Sequence, residues 1–276
     1  MQLKKMATLK RRVLIIANTG GDANYCESVK YDRINYINFF MSPEGGNWYK
    51  HEIIAPDVNV CTPELIDELI DKANENTPVF YWVVVFVGHG WQSADGITYL
   101  EPYPDSPVSR DMPISWFERK LSSSRCLLIA DCCRIPLQSA NESVSDSSHQ
   151  IRFFSGGGSL GYPIKCRQLY NSQILKLRPG HFDVAYAASP EEGAKNLPSD
   201  RGGLYSTSLL EAAKALIYHH RHFSEEDKTI SLSRVHAIAK QTVAEKSNGK
   251  QNPELYYERG YQPPFCVIPN DKHILL

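Results

Sequence analysis

Two apolar runs in this chain of 276 residues each stop at side chains that can take part in covalent chemistry. Residues 83–87 lead into Gly88-His89-Gly90, and residues 126–130 lead into Asp131-Cys132-Cys133. Both runs predict buried strands, and the carboxyl ends of parallel strands meet at one edge of a sheet. The spacing therefore predicts that an imidazole and a thiol lie side by side at that edge, as base and nucleophile.

The chemistry expected of such a pair is nucleophilic attack by a thiolate. His89 would take the proton from a cysteine and later return it to a leaving group. Backbone N–H groups of Gly90 and Cys133 are the candidate donors to the oxyanion of a tetrahedral intermediate. Arg134 adds a positive field that we expect to favour the thiolate.

Asp131 indicates which kind of substrate side chain the site would bind. Side chains two positions apart on a strand share a face, so Asp131 and Cys133 are predicted to point the same way. A carboxylate beside a thiol raises the thiol pKa, which by itself is a disadvantage for a nucleophile. The pairing makes sense if Asp131 receives a cationic substrate side chain. The alternative is that Asp131 only caps nearby backbone N–H groups.

The elements that would position these residues alternate along the chain. Alternation of strands and helices predicts a doubly wound α/β domain with a mostly parallel sheet. The predicted strands are residues 12–17, 51–55, 79–87, 125–132, 184–188 and 265–268, and the predicted helices are 29–40, 62–74, 115–121, 204–218 and 230–245.

Composition narrows the class of protein. A formal net charge of −1 gives no electrostatic argument for nucleic acid or a membrane surface, and neither partner is expected. No apolar stretch approaches the roughly 18 residues of a membrane span. The 7 cysteines are an odd number without a CxxC pair, which favours reduced thiols in a cytoplasmic protein. Residues 134–162 are rich in serine and glycine, which predicts a long functional loop directly after the cysteine pair.

The two strand ends resemble the motifs of the caspase fold, and of its metacaspase-like branch in particular. Those enzymes carry Ser-Gly-His-Gly at one strand end and Asp-x-Cys at the other, and a caspase histidine lies about 50 residues before a Cys followed by Arg. Three further segments fit this resemblance, which covers most of residues 12–218. Ser28-Val29-Lys30-Tyr31-Asp32 resembles the segment that opens the first metacaspase helix, and the stretch 38–48 resembles bacterial caspase-family proteins. The helix start that follows the substrate-binding loop resembles Gly202-Gly203-Leu204-Tyr205-Ser206-Thr207-Ser208-Leu209-Leu210.

The resemblance implies a three-layer αβα sandwich with a mostly parallel central sheet. Residues 1–276 would form a single peptidase domain, with a large-subunit-like part at 12–133, an activation loop at 134–165 and a small-subunit-like part at 166–276. The resemblance also implies that Cys133 is the nucleophile and His89 its base, with Cys132 only a neighbour.

Substrate and regulation follow from the same resemblance. Asp131 and Asp32 match the acids of an S1 pocket that selects Arg or Lys, which predicts an endopeptidase that cleaves proteins after basic residues. An acidic preference is the alternative. Cleavage of the loop, at Arg152, Lys165 or Arg167, or an activating protein partner, is the expected means of control.

The sequence also departs from the metacaspase pattern. Val87 replaces the serine of Ser-Gly-His-Gly, and Arg134-Ile135-Pro136 replaces the usual His-Ser-Gly. The paired acids that bind calcium in many metacaspases are not evident after Met112, so we expect no metal and no cofactor.

Other classes of protein have weaker support. Residues 156–161 formally match both G-x-S-x-G and G-x-G-x-x-G, but neither match has the preceding strand and following helix that it needs. The histidines at 219–222 end a predicted helix, where the dipole favours them, and no second ligand cluster accompanies them. A catalytically silent caspase-like scaffold or regulatory domain stays open as the non-enzyme alternative.

Overall fold

The computed structural model describes residues 9–22, 24–105, 107–136, 161–197, 201–223 and 228–268, with residues 221–223 described only in their backbone. The strands are β1 Arg11–Ala17, β2 Ile53–Ile54, β3 Tyr81–Val87, β4 Gly90–Gln92, β5 Thr98–Leu100, β6 Met112–Pro113, β7 Arg125–Asp131, β8 Phe182–Tyr186, β9 Lys228–Ser231, β10 Glu254–Tyr256 and β11 Pro264–Ile268. The helices are α1 Ser28–Met41, α2 Pro63–Asn74, α3 Ile114–Lys120, α4 Gly161–Ile174, α5 Leu204–Phe223 and α6 Leu232–Lys246.

A six-stranded sheet in the order β10-β8-β7-β3-β1-β2 forms the centre of the fold. All neighbours in it are parallel except β10, which runs antiparallel to β8. The register aligns Ala17 with Val87, and Val87 with Asp131. Strands β1, β3 and β7 therefore end at one level, which brings the segments after them together at the carboxyl edge.

Helices cover both faces of this sheet, which confirms the predicted three-layer αβα sandwich. One face packs on α1, α4, α5 and α6, and the other packs on α2 and α3. The continuous apolar runs of β3 and β7 follow from this burial, because both faces of each strand lie in a core. Helix α2 begins as expected, with Thr62 accepting a hydrogen bond from the N–H of Leu65 and Pro63 at the first helical position.

The structure differs from the sequence-based expectation at several elements. The strand predicted at 51–55 is shorter, because a 3₁₀ turn at Lys50–Glu52 precedes the two residues of β2. Helix α4 was not predicted, and it begins at Gly161, inside the activation loop expected at 134–165. A separate sheet in the order β4-β5-β6 follows His89 and was also not predicted. Among the described residues, no helix is long and apolar enough to cross a membrane.

Candidate active site

A pocket opens at the carboxyl edge of the central sheet. The structure brings together there all four residues that the sequence singled out for chemistry and substrate binding. The pocket is lined by Cys26, Val29, Asp32, Gly88, His89, Asp131, Cys133, Ala194, Asn196 and Gly203. Sequence reasoning missed Cys26, Ala194 and Asn196, which come from the loop before α1 and the loop after β8 and carry no recognisable motif. Val29 of α1 belongs to one of the family-like motifs but was not assigned to the site.

The two adjacent cysteines point to different environments. Cys132 is buried in the core under α2 and α3, whereas Cys133 is only partly buried and lines the pocket. The Cys133 Sγ accepts a hydrogen bond from the N–H of Ala194 at 3.3 Å. Burial raises the pKa of the Cys133 thiol, the Ala194 contact lowers it, and the charges of Asp131 and Cys26 raise it. The thiol is therefore neutral in the free protein at neutral pH.

Arg134 does not act on Cys133 as the sequence suggested. Its side chain is buried, pairs with Glu254 at 2.7 Å and lies 4.2 Å over the ring of Tyr186. Its charge lowers the pKa of Cys132 and is not among the groups that act on the pKa of Cys133. The expected positive field at the nucleophile is thus absent among the described contacts, because Arg134 extends away from the pocket to bind β10.

His89 lies in the turn between β3 and β4, against the loop after β1. A Cβ added at Gly20 would meet the His89 Nε2 at 2.5 Å, so the ring packs directly on that glycine. The Nε2 is buried and has no hydrogen-bond partner among the described residues. Burial lowers the pKa of His89, and the backbone at Thr19 and Asn24 partly offsets this effect. The imidazole is therefore a neutral base at pH 7.

The backbone N–H of Gly90 faces the segment that follows the nucleophile. Gly90 lies opposite Leu100, and the N–H of Glu101 donates to the carbonyl of His89, so the Gly90 N–H is turned away from β5. The N–H of Gln92, on the same side of β4, donates to the carbonyl of Ile135. Within the described residues, neither the Gly90 nor the Cys133 N–H has an acceptor.

Two buried carboxylates form the floor of the pocket. The Asp32 Oδ2 accepts from the N–H of Gly203 at 2.7 Å, and the Asp131 Oδ2 accepts from the N–H of Ser206 at 2.9 Å. Burial and the neighbouring Asp131 raise the pKa of Asp32 well above its usual value, and burial raises that of Asp131. The Asp32 Oδ1 is buried without a hydrogen-bond partner among the described residues.

Glycines give these carboxylates their space. A Cβ at Gly202, where φ is +98°, would come within 2.0 Å of the Asp32 Oδ1. A Cβ at Gly203 would come within 2.6 Å of the Asp131 Oδ2. Gly88, with φ of +150°, lies against the backbone of Asn18, and Gly90 lies against Cys132. Each glycine thus lets its own segment and a neighbouring one approach more closely than any other residue would.

The candidate processing residues fall in different places. Arg152 lies outside the described residues. Lys165 and Arg167 are inside α4, and Arg167 pairs with the buried Glu52 at 2.6 Å and stacks on Tyr49. A protease binds its substrate as an extended chain. Cleavage at either residue would therefore require α4 to unwind, and Arg167 would also have to leave Glu52, so Lys165 and Arg167 stay predictions as processing points.

Metal binding has no candidate in the described part of the chain. No group of three or more His, Cys, Asp or Glu residues there is arranged to hold a metal ion. Asp32 and Asp131 are the acids that line the pocket, and each accepts a hydrogen bond from a backbone N–H.

A thiol and a neutral imidazole beside two buried carboxylates, at the carboxyl edge of a parallel sheet, are the groups expected of a cysteine peptidase. The family model of the caspase domain matches residues 10–260. The chain therefore belongs to the caspase-domain peptidase family.

Comparison with solved structures agrees on the fold. Caspase-1 from Spodoptera frugiperda superimposes with a TM-score of 0.54 at 12% sequence identity, over 90% of this chain and 86% of that one. None of the curated proteins compared matches the chain.

Proposed function

We propose that this caspase-family protein is a cysteine endopeptidase that cleaves proteins after Arg or Lys, with Cys133 as nucleophile and His89 as base. The arrangement that supports the dyad is the shared pocket of the two side chains. A neutral thiol beside a neutral imidazole suits a mechanism in which the proton moves only when the substrate is attacked. Because the His89 Nε2 is buried against Gly20, Nδ1 is the nitrogen available to take the proton.

The reaction would proceed in two stages. Cys133 Sγ attacks the scissile carbonyl carbon as His89 takes the thiol proton, and the N–H groups of Gly90 and Cys133 donate to the oxyanion. The intermediate collapses when His89 gives its proton to the leaving amine, which leaves a thioester on Cys133. Water, deprotonated by His89, then hydrolyses the thioester and restores the thiol.

The basic preference rests on one observation, the unpartnered oxygen of Asp32. Capping explains the Asp131 Oδ2, which accepts from Ser206, but it does not explain why the Asp32 Oδ1 is buried without a donor. A guanidinium or ammonium group supplies that donor and offsets the charge of two adjacent carboxylates. An acidic substrate side chain would add a third carboxylate to the same floor. This preference is the metacaspase-like property of the site.

The regulation, cellular location and partners of the enzyme are part of the same proposal. Cleavage of the segment after Cys133, at Arg152, or binding of a protein partner would control access to the pocket. The enzyme would act in the cytoplasm, without nucleic acid or membrane partners and without a metal or other cofactor. Apart from its protein substrate and this regulatory partner, no further component is required by the proposed chemistry.

Peptide reporters that end in Arg, Lys or Asp test this function. We expect the first two to be cleaved at least tenfold faster than the third, because only a cation fits two carboxylates. Cys133→Ala should abolish cleavage, whereas the matched control Cys132→Ala, which alters the neighbouring buried thiol, should retain it. Faster cleavage after Asp would overturn the basic preference.

The same experiment separates the enzyme from a silent scaffold. Wild-type protein should also yield fragments on storage that Cys133→Ala and Arg152→Ala do not yield. Absence of peptide cleavage by wild-type protein, both before and after a cut in the 137–160 segment, would favour the scaffold. Equal activity of Cys133→Ala and wild type would show that another residue is the nucleophile.

A further inference from the structure

The two carboxylates of the pocket are not equivalent in their hydrogen bonds. Asp131 accepts from the N–H of Ser206 at 2.9 Å, and the Ser206 hydroxyl also lowers its pKa. Asp32 accepts only from the N–H of Gly203, and its Oδ1 is left without a partner among the described residues. Two donors favour the ionised form of a carboxylate more than one. Asp131 is therefore the better site for a single negative charge.

A second hydroxyl fixes the direction of the Ser206 donor. The buried Tyr36 Oη donates to the Ser206 Oγ at 3.1 Å, and both residues are fully buried. Since Tyr36 occupies the Ser206 oxygen as an acceptor, the Ser206 proton is free to turn toward Asp131. This hydroxyl chain strengthens the asymmetry between Asp131 and Asp32.

The other titratable groups around the pair leave it without a counter-charge. They are Cys26 before α1, Tyr36 on α1, Cys132 and Cys133 after β7, Tyr205 on α5 and His89 after β3. Burial raises the pKa of the cysteines and tyrosines and lowers that of His89, so all are neutral near pH 7. Among the described residues, no cationic side chain acts on the pKa of either carboxylate.

Two adjacent buried carboxylates without a cation cannot both stay ionised, because like charges at short range oppose the second ionisation. We propose that Asp32 carries a proton in the free enzyme and releases it when a cationic substrate side chain enters, while Ser206 and Tyr36 keep Asp131 ionised. The O–H bond of the Asp32 carboxyl breaks, the proton passes to the solvent, and the substrate cation takes its place. Recognition of Arg or Lys is then coupled to pH, and the inference rests on the basic preference proposed above.

Calorimetry on the Cys133→Ala variant measures this coupling without turnover. An Arg-containing peptide and its twin with neutral citrulline are titrated in two buffers whose ionisation enthalpies differ. We expect the Arg peptide to release about one proton per complex and the citrulline peptide none. By linkage, the affinity for the Arg peptide should rise about tenfold per pH unit below the pH at which Asp32 ionises.

Asp32→Asn in the Cys133→Ala background is the decisive control. Asparagine keeps the shape of a protonated carboxyl and can still accept from Gly203, so binding of the Arg peptide should persist without proton release. Release that is unchanged in this variant would assign the proton to another group, such as His89, and would overturn the inference. A preference for Arg without any proton release would also overturn it, while leaving the proposed function intact.

Failure of the proposed function would give a different result, because the Arg and citrulline peptides would then bind equally.

The role of Ser206 is tested separately, by the pH dependence of peptide affinity. In the Cys133→Ala/Asp32→Asn background Asp131 is the remaining carboxylate of the pair, so Ser206→Ala, which removes a donor to its ionised form, should move the inflection of affinity against pH to higher pH. If that variant does not fold, Tyr36→Phe should move the inflection in the same direction by less. An unmoved inflection in a folded variant would contradict the role of the hydroxyl chain.

Discussion

At the scale of single residues, Gly202 and Gly203 leave the space that Asp32 and Asp131 need to lie side by side. A Cβ on Gly202 would come within 2.0 Å of the Asp32 Oδ1, and one on Gly203 within 2.6 Å of the Asp131 Oδ2. The sequence contains this information only as a Gly-Gly pair about 70 residues after the cysteines. Its meaning appears once α5 is placed beside β7.

Gly202→Ala should reveal how the carboxylate pair affects activity, separately from any effect on the stability of the fold. The new methyl group must displace Asp32, and a displacement near 1 Å can cost about 100-fold in activity on Arg reporters. The matched control is Gly96→Ala, because Gly96 also has a positive φ, +83°, but nothing lies within 4 Å of its added Cβ. Both variants should lose about 1–2 kcal/mol of unfolding free energy. Equal activity of the two would contradict the role of Gly202.

The thiol of Cys133 gives a second prediction at this scale. Burial raises its pKa from the ordinary 9.0, so the rate of its alkylation by iodoacetamide should still be rising above pH 9. Mass spectrometry of the Cys133 peptide, with a free cysteine peptide as reference, measures this rate. A plateau below pH 7 would instead indicate a preformed thiolate–imidazolium pair.

The choice of Cys133 over Cys132 came from the resemblance to the caspase motif, and strand geometry predicted only that Asp131 and Cys133 share a face. Asp131 and Cys133 line the pocket together, while Cys132 faces the opposite core, as alternation along a strand requires. Cys26 could not be predicted, because it reaches the pocket through the loop before α1. The path of Arg134 could not be predicted either, because its partner Glu254 lies 120 residues further on.

At the scale of elements, the long apolar strands were predictable and the short ones were not. Strands β1, β3 and β7 are each continuous apolar runs that both cores bury. Helix α4 escaped prediction because its start lies in the serine- and glycine-rich stretch that predicts a loop, and because proline inside a helix usually breaks it. Pro163 is in fact in the first turn of α4, where the missing N–H has no partner to lose.

Helix α4 is tied to the rest of the domain by a buried ionic contact. Glu52, with a side chain only 4% exposed, accepts two hydrogen bonds from Arg167 at 2.6 Å and lies 3.6 Å from Arg11. Burial acts to raise the pKa of Glu52, but the hydrogen bonds of Arg167 and the charge of Arg11 outweigh it and hold that pKa below 4.5. One carboxylate thus neutralises two arginines.

Glu52→Gln should therefore destabilise the fold strongly. It leaves two arginines without their counter-ion, and breaking a buried pair costs about 3–5 kcal/mol in urea unfolding. Because the folded pKa is lowered, this stabilisation is present above pH 4.5 and is lost as the pH falls below it, so the difference from wild type should shrink in acid. The matched control Glu64→Gln removes an exposed partner of Arg110 and should change little. Equal effects of both would contradict the anchoring role.

At the scale of the whole molecule, the parts before and after the 137–160 segment share their cores. The core under α1 combines β1, β3 and β7 with α4, α5 and α6. Strand β8 pairs with β7 along five residues, from Phe182 to Tyr186. The Tyr162 Oη donates to Glu44 at 2.9 Å, and the Arg11 guanidinium donates to Asn171 at 2.8 Å. The two parts are thus joined by a shared core and by contacts that do not involve the connecting segment.

A cut in that segment should therefore leave the molecule whole. We expect Cys133→Ala protein that carries the recognition sequence of a site-specific protease at Arg152 to elute after cleavage as one species of unchanged size. The fragments should separate only in denaturant, because separation exposes the apolar faces of both β7 and β8 to water. Size-exclusion chromatography followed by denaturing electrophoresis measures this, with the uncut protein as control. Elution of two separate fragments in native buffer would show that the shared core does not hold them together.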